Sequence, residues 1–173
     1  MTETTAHDVC ELLDLFGSLG VHVWIDGGWA VDACLGHQTR RHSDLDIVLE
    51  ARDLDTVTGA LRSRGFGPAH RNDTRLWNFA MVDPADREVD LHAVVLDEEG
   101  RGIYGPPGDG KYYPAEALRG RGVIARRHVD CISPEWLVRF HTGYTLDAGD
   151  VADVTALCAK FDIPLPAEYR NHR

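Results

Sequence analysis

Two aspartates at alternate positions of a short apolar run are the residues best suited to chemistry in this chain. Asp44 and Asp46 open the run Asp-Leu-Asp-Ile-Val-Leu at residues 44–49, which alternates like a strand. Strand side chains alternate between two faces, so both carboxylates project from one face while Leu45 and Ile47 point to the core. Adjacent carboxylates raise a pKa unless a cation lies between them. Such oxygen ligands suit Mg²⁺, which is usually held by one or two carboxylates plus substrate phosphates.

A pair of glycines precedes these acids along the chain. Gly27 and Gly28 follow the apolar residues Trp24 and Ile25 and stand just before a predicted helix from Trp29 to about Leu35. Glycines at a helix start let the backbone approach a ligand closely and aim free N–H groups at an anion. A phosphate cradle beside an acid pair predicts chemistry on a nucleoside triphosphate.

A third acid lies on a later strand. Residues 83–86 (Asp-Pro-Ala-Asp) form a predicted turn between a strand over Arg75–Val82 and a returning strand over Glu88–Leu96. Asp90 lies in the middle of the returning strand, on its polar face, and is the natural partner for the first two acids. His92 shares that face and either orients the substrate or packs as a neutral side chain.

The loop that leads into the acid pair is basic. Residues 37–43 carry Arg40 and Arg41 to the edge of the two acids. We expect one of these arginines to contact a triphosphate, and the alternative is a solvated basic loop. Ser43 either donates a hydrogen bond to a phosphate or caps the loop. Further along, Trp77 belongs either to the core or to an acceptor cleft.

Hydrophobic periodicity and turn composition predict the remaining elements. Helices are predicted at about His7–Leu19, Leu54–Gly65 and Gly149–Phe161, and strands at Val21–Ile25 and Val123–Ile132. Another helix is predicted to begin at Ser133-Pro134-Glu135, with Ser133 as its N-cap. The Gly/Pro-rich residues 97–110 are predicted to be a loop, and residues 168–173 a loose tail.

This order of elements predicts an α/β (α+β) fold. We expect a mixed sheet that carries the acids on one face, with helices packed behind it. Residues 1–130 are predicted to form the catalytic core, and residues 131–173 a small C-terminal helical segment.

Size and charge narrow the partners. The chain of 173 residues suits one compact domain, and its net charge of −10 argues against a nucleic acid as partner. No apolar run approaches the ~20 residues of a membrane span, and the N-terminus lacks an export signal. The four cysteines are scattered without a Cys-x-x-Cys pattern, which fits reduced thiols in the cytoplasm.

Several motifs resemble a known enzyme superfamily, the polymerase-β-like nucleotidyltransferases. The runs at residues 24–32 and 39–46 are similar to its antibiotic-modifying branch, which contains lincosamide and aminoglycoside 2″-nucleotidyltransferases. The runs at residues 89–92, 131–135 and 140–144 resemble the short lincosamide enzymes in particular. The glycine pair and the acid pair alone are moderately specific, and the flanking tryptophans strengthen the match.

The resemblance extends from about Val9 to Leu157 and implies a specific reaction. Asp44 and Asp46 would bind Mg²⁺ that bridges to the phosphates of the nucleotide. Asp90 would complete the metal site and take the proton from the acceptor hydroxyl. AMP would pass from ATP, or from another nucleoside triphosphate, to a small antibiotic with release of pyrophosphate, a lincosamide ranking ahead of an aminoglycoside. Related enzymes often pair, so a homodimer is compatible with the resemblance.

Two other functions remain open at this point. The acceptor could be a biosynthetic metabolite such as an amino sugar or a nucleoside, because the acceptor pocket is built from the least recognisable segments. A different class is a non-catalytic binding module, as in toxin–antitoxin pairs. Loss of one of the three acids would favour that module, but all three acids are present.

Overall fold

Helices and a mixed sheet make up a computed structural model that describes residues 2–72, 74–106 and 108–172. The strands are β1 (Val23–Ile25), β2 (Asp44–Glu50), β3 (Gly67–Pro68), β4 (Asn78–Val82), β5 (Glu88–Leu96), β6 (Gly102–Tyr104), β7 (Tyr112–Tyr113), β8 (Gly120–Ile124) and β9 (Arg127–Cys131). The α-helices are α1 (Ala6–Ser18), α2 (Gly27–Leu35), α3 (Leu54–Ser63), α4 (Pro134–Phe140) and α5 (Ala148–Phe161). Short 3₁₀ helices cover Ala51–Asp53, Ala117–Arg119 and Ala167–His172.

The sheet has the strand order β3-β4-β5-β2-β1-β9-β8, with β6 joined to β5 and β7 joined to β6. Strand β2 runs antiparallel to β1 and parallel to β5. Both acid-bearing strands are therefore neighbours in the interior of the sheet. The predicted α/β class with a mixed sheet is confirmed. Within the described residues, no helix has the length and apolar character needed to span a membrane.

The first and last long helices are set by their caps. Thr5 and Asp8 form a reciprocal capping box at the start of α1, and Asp147 and Asp150 form one at the start of α5. Each capping residue satisfies backbone N–H groups that the first turn of a helix leaves unpaired. Both helices then bury one apolar face, as their periodicity predicts.

Strands β2 and β5 bury the apolar residues that alternate with the acids. Leu45, Ile47 and Leu91 have no exposed surface, and Val89 is 1% exposed. Truncating such a side chain costs about 2–5 kcal/mol, because the lost burial is joined by a cavity. The core therefore fixes which face of these strands remains for the acids.

The predicted single strand over Val123–Ile132 is wrong, because the chain forms an antiparallel hairpin, β8 and β9. Ala125 and Arg126 make the turn, with φ angles of 48° and 69°. A two-residue hairpin turn with positive φ at both positions usually contains glycine or asparagine. Neither residue type is present, so composition gave no turn signal.

Three boundaries and contacts also differ from expectation. The predicted loop over residues 97–110 contains β6, which pairs with the end of β5; Pro107 lies outside the described residues. The predicted loose tail is ordered as far as His172: the Tyr169 side chain is 1% exposed, and its hydroxyl donates to the backbone carbonyl of His141. Ser133 precedes α4 as expected, yet its side chain makes no capping hydrogen bond.

Candidate active site

The carboxylates of β2 and β5 meet because the two strands pair in parallel register. Asp46 lies opposite Asp90, and Asp44 lies opposite Glu88. Paired residues on neighbouring strands project to the same face, so all four acids share one face of the sheet. Ligand atoms of Asp46, Asp90 and His92 lie within 4.8 Å of one another. The carboxylates of this group can hold a metal ion.

His92 is the positive group within this cluster. Its Nε2 lies 3.6 Å from Oδ1 of Asp46, and its Nδ1 lies 3.1 Å from the hydroxyl of Tyr104. Burial alone would lower the pKa of His92, but the hydrogen bond to Asp46 and the charges of Asp26, Asp46 and Asp90 raise it to about 9. This pKa favours the charged form of His92 beside the acids at neutral pH.

Asp44 shows the cost of crowding acids together. Burial raises its pKa, and the negative charge of Asp46 raises it further, while Arg71 opposes both effects. A cation placed among these carboxylates would relieve the repulsion, because it favours their charged forms.

Asp90 has a buried oxygen that suits a ligand. The residue is 8% exposed, and its Oδ1 has no hydrogen-bond partner. Leaving a buried acceptor unsatisfied costs about 1–3 kcal/mol, which a bound cation would recover. The oxygens of Asp46 and Asp90 are hard donors of the kind that divalent cations with oxygen preference take. The residues present thus fit a divalent metal.

The two glycines bring the start of α2 against the acid face. Asp26 caps the helix, and its Oδ1 accepts a hydrogen bond from the Gly27 backbone N–H at 2.8 Å. Gly27 has a φ of 58°, and a Cβ at this position would collide with the carboxylate of Asp46. A Cβ on Gly28 would collide with the ring of His42. The positive end of a helix dipole therefore lies directly beside the carboxylates, where an anion is favoured.

The two arginines of the basic loop have different surroundings. The guanidinium of Arg40 lies next to Gly28 and pairs with the buried Asp153 of α5, with 2.8 Å between Nη2 and Oδ2. The side chain of Arg41 is 87% exposed and pairs with Glu3. Arg40 is thus beside the glycine cradle, whereas Arg41 faces solvent.

Ser43 and its neighbour His42 complete the loop. The backbone carbonyl of Ser43 accepts a hydrogen bond from the Thr4 hydroxyl. The Nε2 of His42 lies 2.5 Å from Oδ2 of Asp32, and both side chains are almost fully buried. The other oxygen of Asp32 accepts hydrogen bonds from the backbone and the hydroxyl of Thr39. This buried pair holds the loop against α2.

An aromatic cavity of about 210 Å³ opens beside the acids. It is lined by Asp26, Tyr104, Lys111, Tyr112, Tyr113 and Phe140. The rings of Tyr104 and Tyr113 are 5.8 Å apart, and those of Tyr113 and Phe140 are 5.4 Å apart. Because Tyr104 also contacts His92, a continuous aromatic wall runs from the metal-binding cluster to α4.

Asp26 joins this cavity to the cluster. Its Oδ2 accepts a hydrogen bond from the Tyr113 hydroxyl at 3.0 Å. Burial raises the pKa of Asp26; the charge of His92 opposes this effect, and the charge of Asp46 adds to it. Burial also raises the pKa of Tyr113 well above its usual range, so Tyr113 remains a neutral donor. Neither residue was predicted from the sequence motifs, although an aspartate before two glycines is a typical N-cap signal.

Trp77 lies in different surroundings. It lines a separate cavity of about 630 Å³ with Phe79 and with residues of α3. Phe79 lies opposite Leu91, whose side chain points away from the acids. An acceptor-binding role for Trp77 stays a prediction.

A mixed sheet with paired carboxylates beside a Gly-Gly helix start is the arrangement expected of a nucleotidyltransferase. The sequence model of the aminoglycoside-2''-adenylyltransferase family matches residues 8–157. The chain therefore belongs to this family, and the resemblance seen in its motifs is confirmed.

Individual relatives agree with this assignment. A lincosamide resistance protein from Staphylococcus haemolyticus is 30% identical over 157 residues, which cover 88% of this chain and 94% of that protein. The crystal structure of the lincosamide antibiotic adenylyltransferase LnuA with lincomycin bound is 27% identical, with a TM-score of 0.79 over 94% of this chain and 100% of that chain. ANT(2")-Ia in complex with adenylyl-2"-tobramycin is 21% identical, with a TM-score of 0.71 over 96% of this chain and 97% of that chain, and supports the fold alone.

Proposed function

We propose that this enzyme transfers AMP from ATP to a hydroxyl of a lincosamide antibiotic and releases pyrophosphate. The observation that carries the proposal is the juxtaposition of Asp46, Asp90 and the Gly27-Gly28 helix start. The first two supply carboxylates for a divalent ion, and the third supplies N–H groups for phosphate. Phosphoryl chemistry needs positioning and charge neutralisation rather than covalent help, and these residues provide both.

Mg²⁺ is the proposed metal, held by Asp46 and Asp90 with Asp44 beside them. When bound, it neutralises charge that develops on the phosphate oxygens. The acceptor oxygen forms a bond to the α-phosphorus, and the bond from that phosphorus to the bridging oxygen breaks. Pyrophosphate leaves with the electron pair, and the acceptor proton passes to Asp90.

The nucleotide-binding role falls to the residues around α2. Gly28 presents its backbone N–H group to the triphosphate, and Gly27, whose own N–H is held by Asp26, lets the backbone approach closely. Arg40 is the arginine of the loop that adds charge there. A triphosphate contact of Arg41 or Ser43 stays a prediction: the Arg41 side chain extends into solvent, and Ser43 has a described contact only through its backbone carbonyl.

The aromatic cavity is the proposed acceptor site, and it favours a lincosamide over an aminoglycoside. A lincosamide joins a sugar to an apolar pyrrolidine ring, whereas an aminoglycoside is polar throughout. Tyr104, Tyr113 and Phe140 offer ring surface to the apolar part of the antibiotic, and the Asp26 carboxylate would pair with its basic nitrogen. An aminoglycoside acceptor is the second candidate, because the matching family model describes 2''-adenylyltransferases.

The test is direct. The protein is incubated with ATP and Mg²⁺ together with lincomycin, clindamycin, tobramycin or kanamycin, and each antibiotic is examined by mass spectrometry for an added AMP. We expect an adduct on the lincosamides and concurrent release of pyrophosphate. A modified aminoglycoside with unmodified lincosamides would reverse the substrate order. No adduct on any antibiotic would favour a metabolite acceptor, or a binding module if ATP also fails to bind.

Three further predictions concern the whole protein. We propose that residues 1–130 act as the catalytic core and residues 131–173 as a helical segment that supports it through the Arg40–Asp153 ion pair. A homodimer and a cytoplasmic location both remain predictions. Analytical ultracentrifugation of the protein at micromolar concentration would test for the homodimer.

A further inference from the structure

Arg71 contacts the acid face from a segment outside every motif that marks the family. It lies between β3 and β4, and its Nη1 donates to Oδ2 of Asp90 at 2.7 Å. Its other terminal nitrogen pairs with Glu88. Glu88 and Asp90 are two residues apart on β5, so one guanidinium spans both carboxylates on the same face.

This contact gives the two carboxylate oxygens of Asp90 different surroundings. Oδ2 is engaged by Arg71, whereas Oδ1 is buried and has no hydrogen-bond partner. The terminal torsion of an aspartate is broad and roughly two-fold, so a carboxylate without such a partner exchanges its oxygens freely. A rigid guanidinium fork restricts this rotation, because it binds two groups in one geometry.

We propose that Arg71 is a positioning residue that holds the Asp90 carboxylate with Oδ1 presented to the cation and to the acceptor proton. This inference rests on the proposed nucleotidyl transfer. Partners that orient metal-binding groups contribute about 10–100-fold to metal affinity or activity when they are removed.

The competing reading is that Arg71 is a placeholder that must leave when a cation binds. The contacts argue against it. Arg71 bonds to Asp90 and Glu88 on β5, and His92 is the positive group next to Asp46. A placeholder would cover the oxygen that the cation needs, yet Oδ1 of Asp90 stays unpartnered beside Arg71. The two readings predict opposite changes in metal affinity.

The experiment compares Arg71→Gln with Arg75→Gln. Arg75 lies in the same segment, and its guanidinium donates to the Thr74 carbonyl, so its loss removes an equal charge from the same segment without touching a carboxylate. Mg²⁺ alone is titrated into each protein by calorimetry, and steady-state adenylylation of lincomycin is measured separately. We expect Arg71→Gln to weaken Mg²⁺ binding and to lower kcat by about 10–100-fold, with the KM for ATP nearly unchanged. Arg75→Gln should match the wild-type protein in all three quantities.

Arg71→Lys tests the geometry, because it keeps the charge and loses the fork. We expect an intermediate kcat, and this variant carries the test if Arg71→Gln does not fold. Tighter Mg²⁺ binding by Arg71→Gln would establish the placeholder reading, and unchanged binding and kcat would remove any positioning role. If wild-type protein modifies no antibiotic, the proposed acceptor fails, while the calorimetric comparison still decides the role of Arg71.

Discussion

The carboxylate face and the aromatic cavity are adjacent but are built in different ways. The acids stand on two long neighbouring strands whose parallel register continues from Asp44 to Glu50. The cavity is walled by residues of β6 and β7, which contain three and two residues, and by α4. Interior strands with a buried apolar face have a strongly specified register. The region assigned to chemistry therefore has a strongly specified strand register, and the region assigned to the acceptor rests on short elements.

Asp26 connects the carboxylate face with the aromatic cavity. Its backbone N–H donates to the carbonyl of Asp46 at 2.9 Å, and its carboxylate accepts from Tyr113. Asp26 is therefore bonded to the carboxylate face and also lines the aromatic cavity.

The largest expected loss of activity comes from removing a charge on the carboxylate face. Asp46→Asn and Asp90→Asn keep the side-chain volume but lose a carboxylate, so we expect each to lower adenylylation by about 10³-fold. The rate of pyrophosphate release measures this effect. Asp130→Asn is the control, because Asp130 lies on β9 of the same sheet with a side chain that is 40% exposed. Activity within tenfold of wild type for Asp46→Asn would break the assignment of chemistry to this face.

The contrast between the carboxylate face and the aromatic cavity also explains which parts of the site the sequence predicted. Alternation of acids with buried residues identified β2 and β5, and the turn residues 83–86 joined β5 to β4. Because side chains alternate with period two within a strand, the sequence predicts that Asp44 and Asp46 share one face and that Asp90 lies on the polar face of β5. The Gly-Gly start of α2 was predicted from another local signal, because two glycines precede a run of residues with helical character.

The cavity could not be predicted in this way. Strands of two or three residues carry no periodic signal, and β6 lies in a Gly/Pro-rich stretch that composition marks as a loop. Arg71 contributes through the reach of one long side chain, which local pattern does not encode. Tyr113 depends on its contact with Asp26, which lies 87 positions away along the chain. Long-range packing supplied these residues.

The second prediction concerns the contact between α2 and the acid face. Gly27→Ala introduces a Cβ against Asp46 at a backbone position with φ of 58°, so we expect a loss of about 1–3 kcal/mol of stability. Displacement of Asp46 by even 1 Å should lower kcat by about 10²-fold. Gly59→Ala is the matched control: a Cβ there meets nothing within 4 Å, and in the interior of α3 it should add about 0.5–1 kcal/mol. Melting curves and kcat together separate the two effects, and a Gly27→Ala enzyme with wild-type kcat would contradict the close approach.

The third prediction tests the cavity without touching the acids. Tyr113→Phe keeps the ring and removes the hydroxyl that donates to Asp26, a change of about 1 kcal/mol. We expect the KM for lincomycin to rise about fivefold while the KM for ATP and kcat change little. Tyr112→Phe is the comparison, because Tyr112 is 47% exposed and lines the same cavity, whereas the hydroxyl that donates to Asp26 belongs to Tyr113. An equal change in the KM for both substrates would mean that the cavity does not belong to the acceptor alone.

The smallest expected effect is a change in stability, and it concerns the ion pairs of Arg87 at the start of β5. Arg87, in the turn before β5, pairs with Asp83 and with Asp8 of α1. Burial alone would raise the pKa of Asp83, but hydrogen bonds from the Arg87 backbone and side chain lower it below the ordinary value of 3.8. A carboxyl with a lowered folded-state pKa contributes stability that is complete above its unfolded pKa and is lost as pH falls through the folded pKa. Arg87→Gln should therefore cost about 1 kcal/mol at pH 7, and the difference from wild type should shrink as the solution is acidified below 3.8. Thermal melts at several pH values measure it, with Arg101→Gln as control, because Arg101 forms a similar but more exposed pair with Asp97. A difference that persists in acid would show that Arg87 supports β5 through packing of its stem and not through its charge.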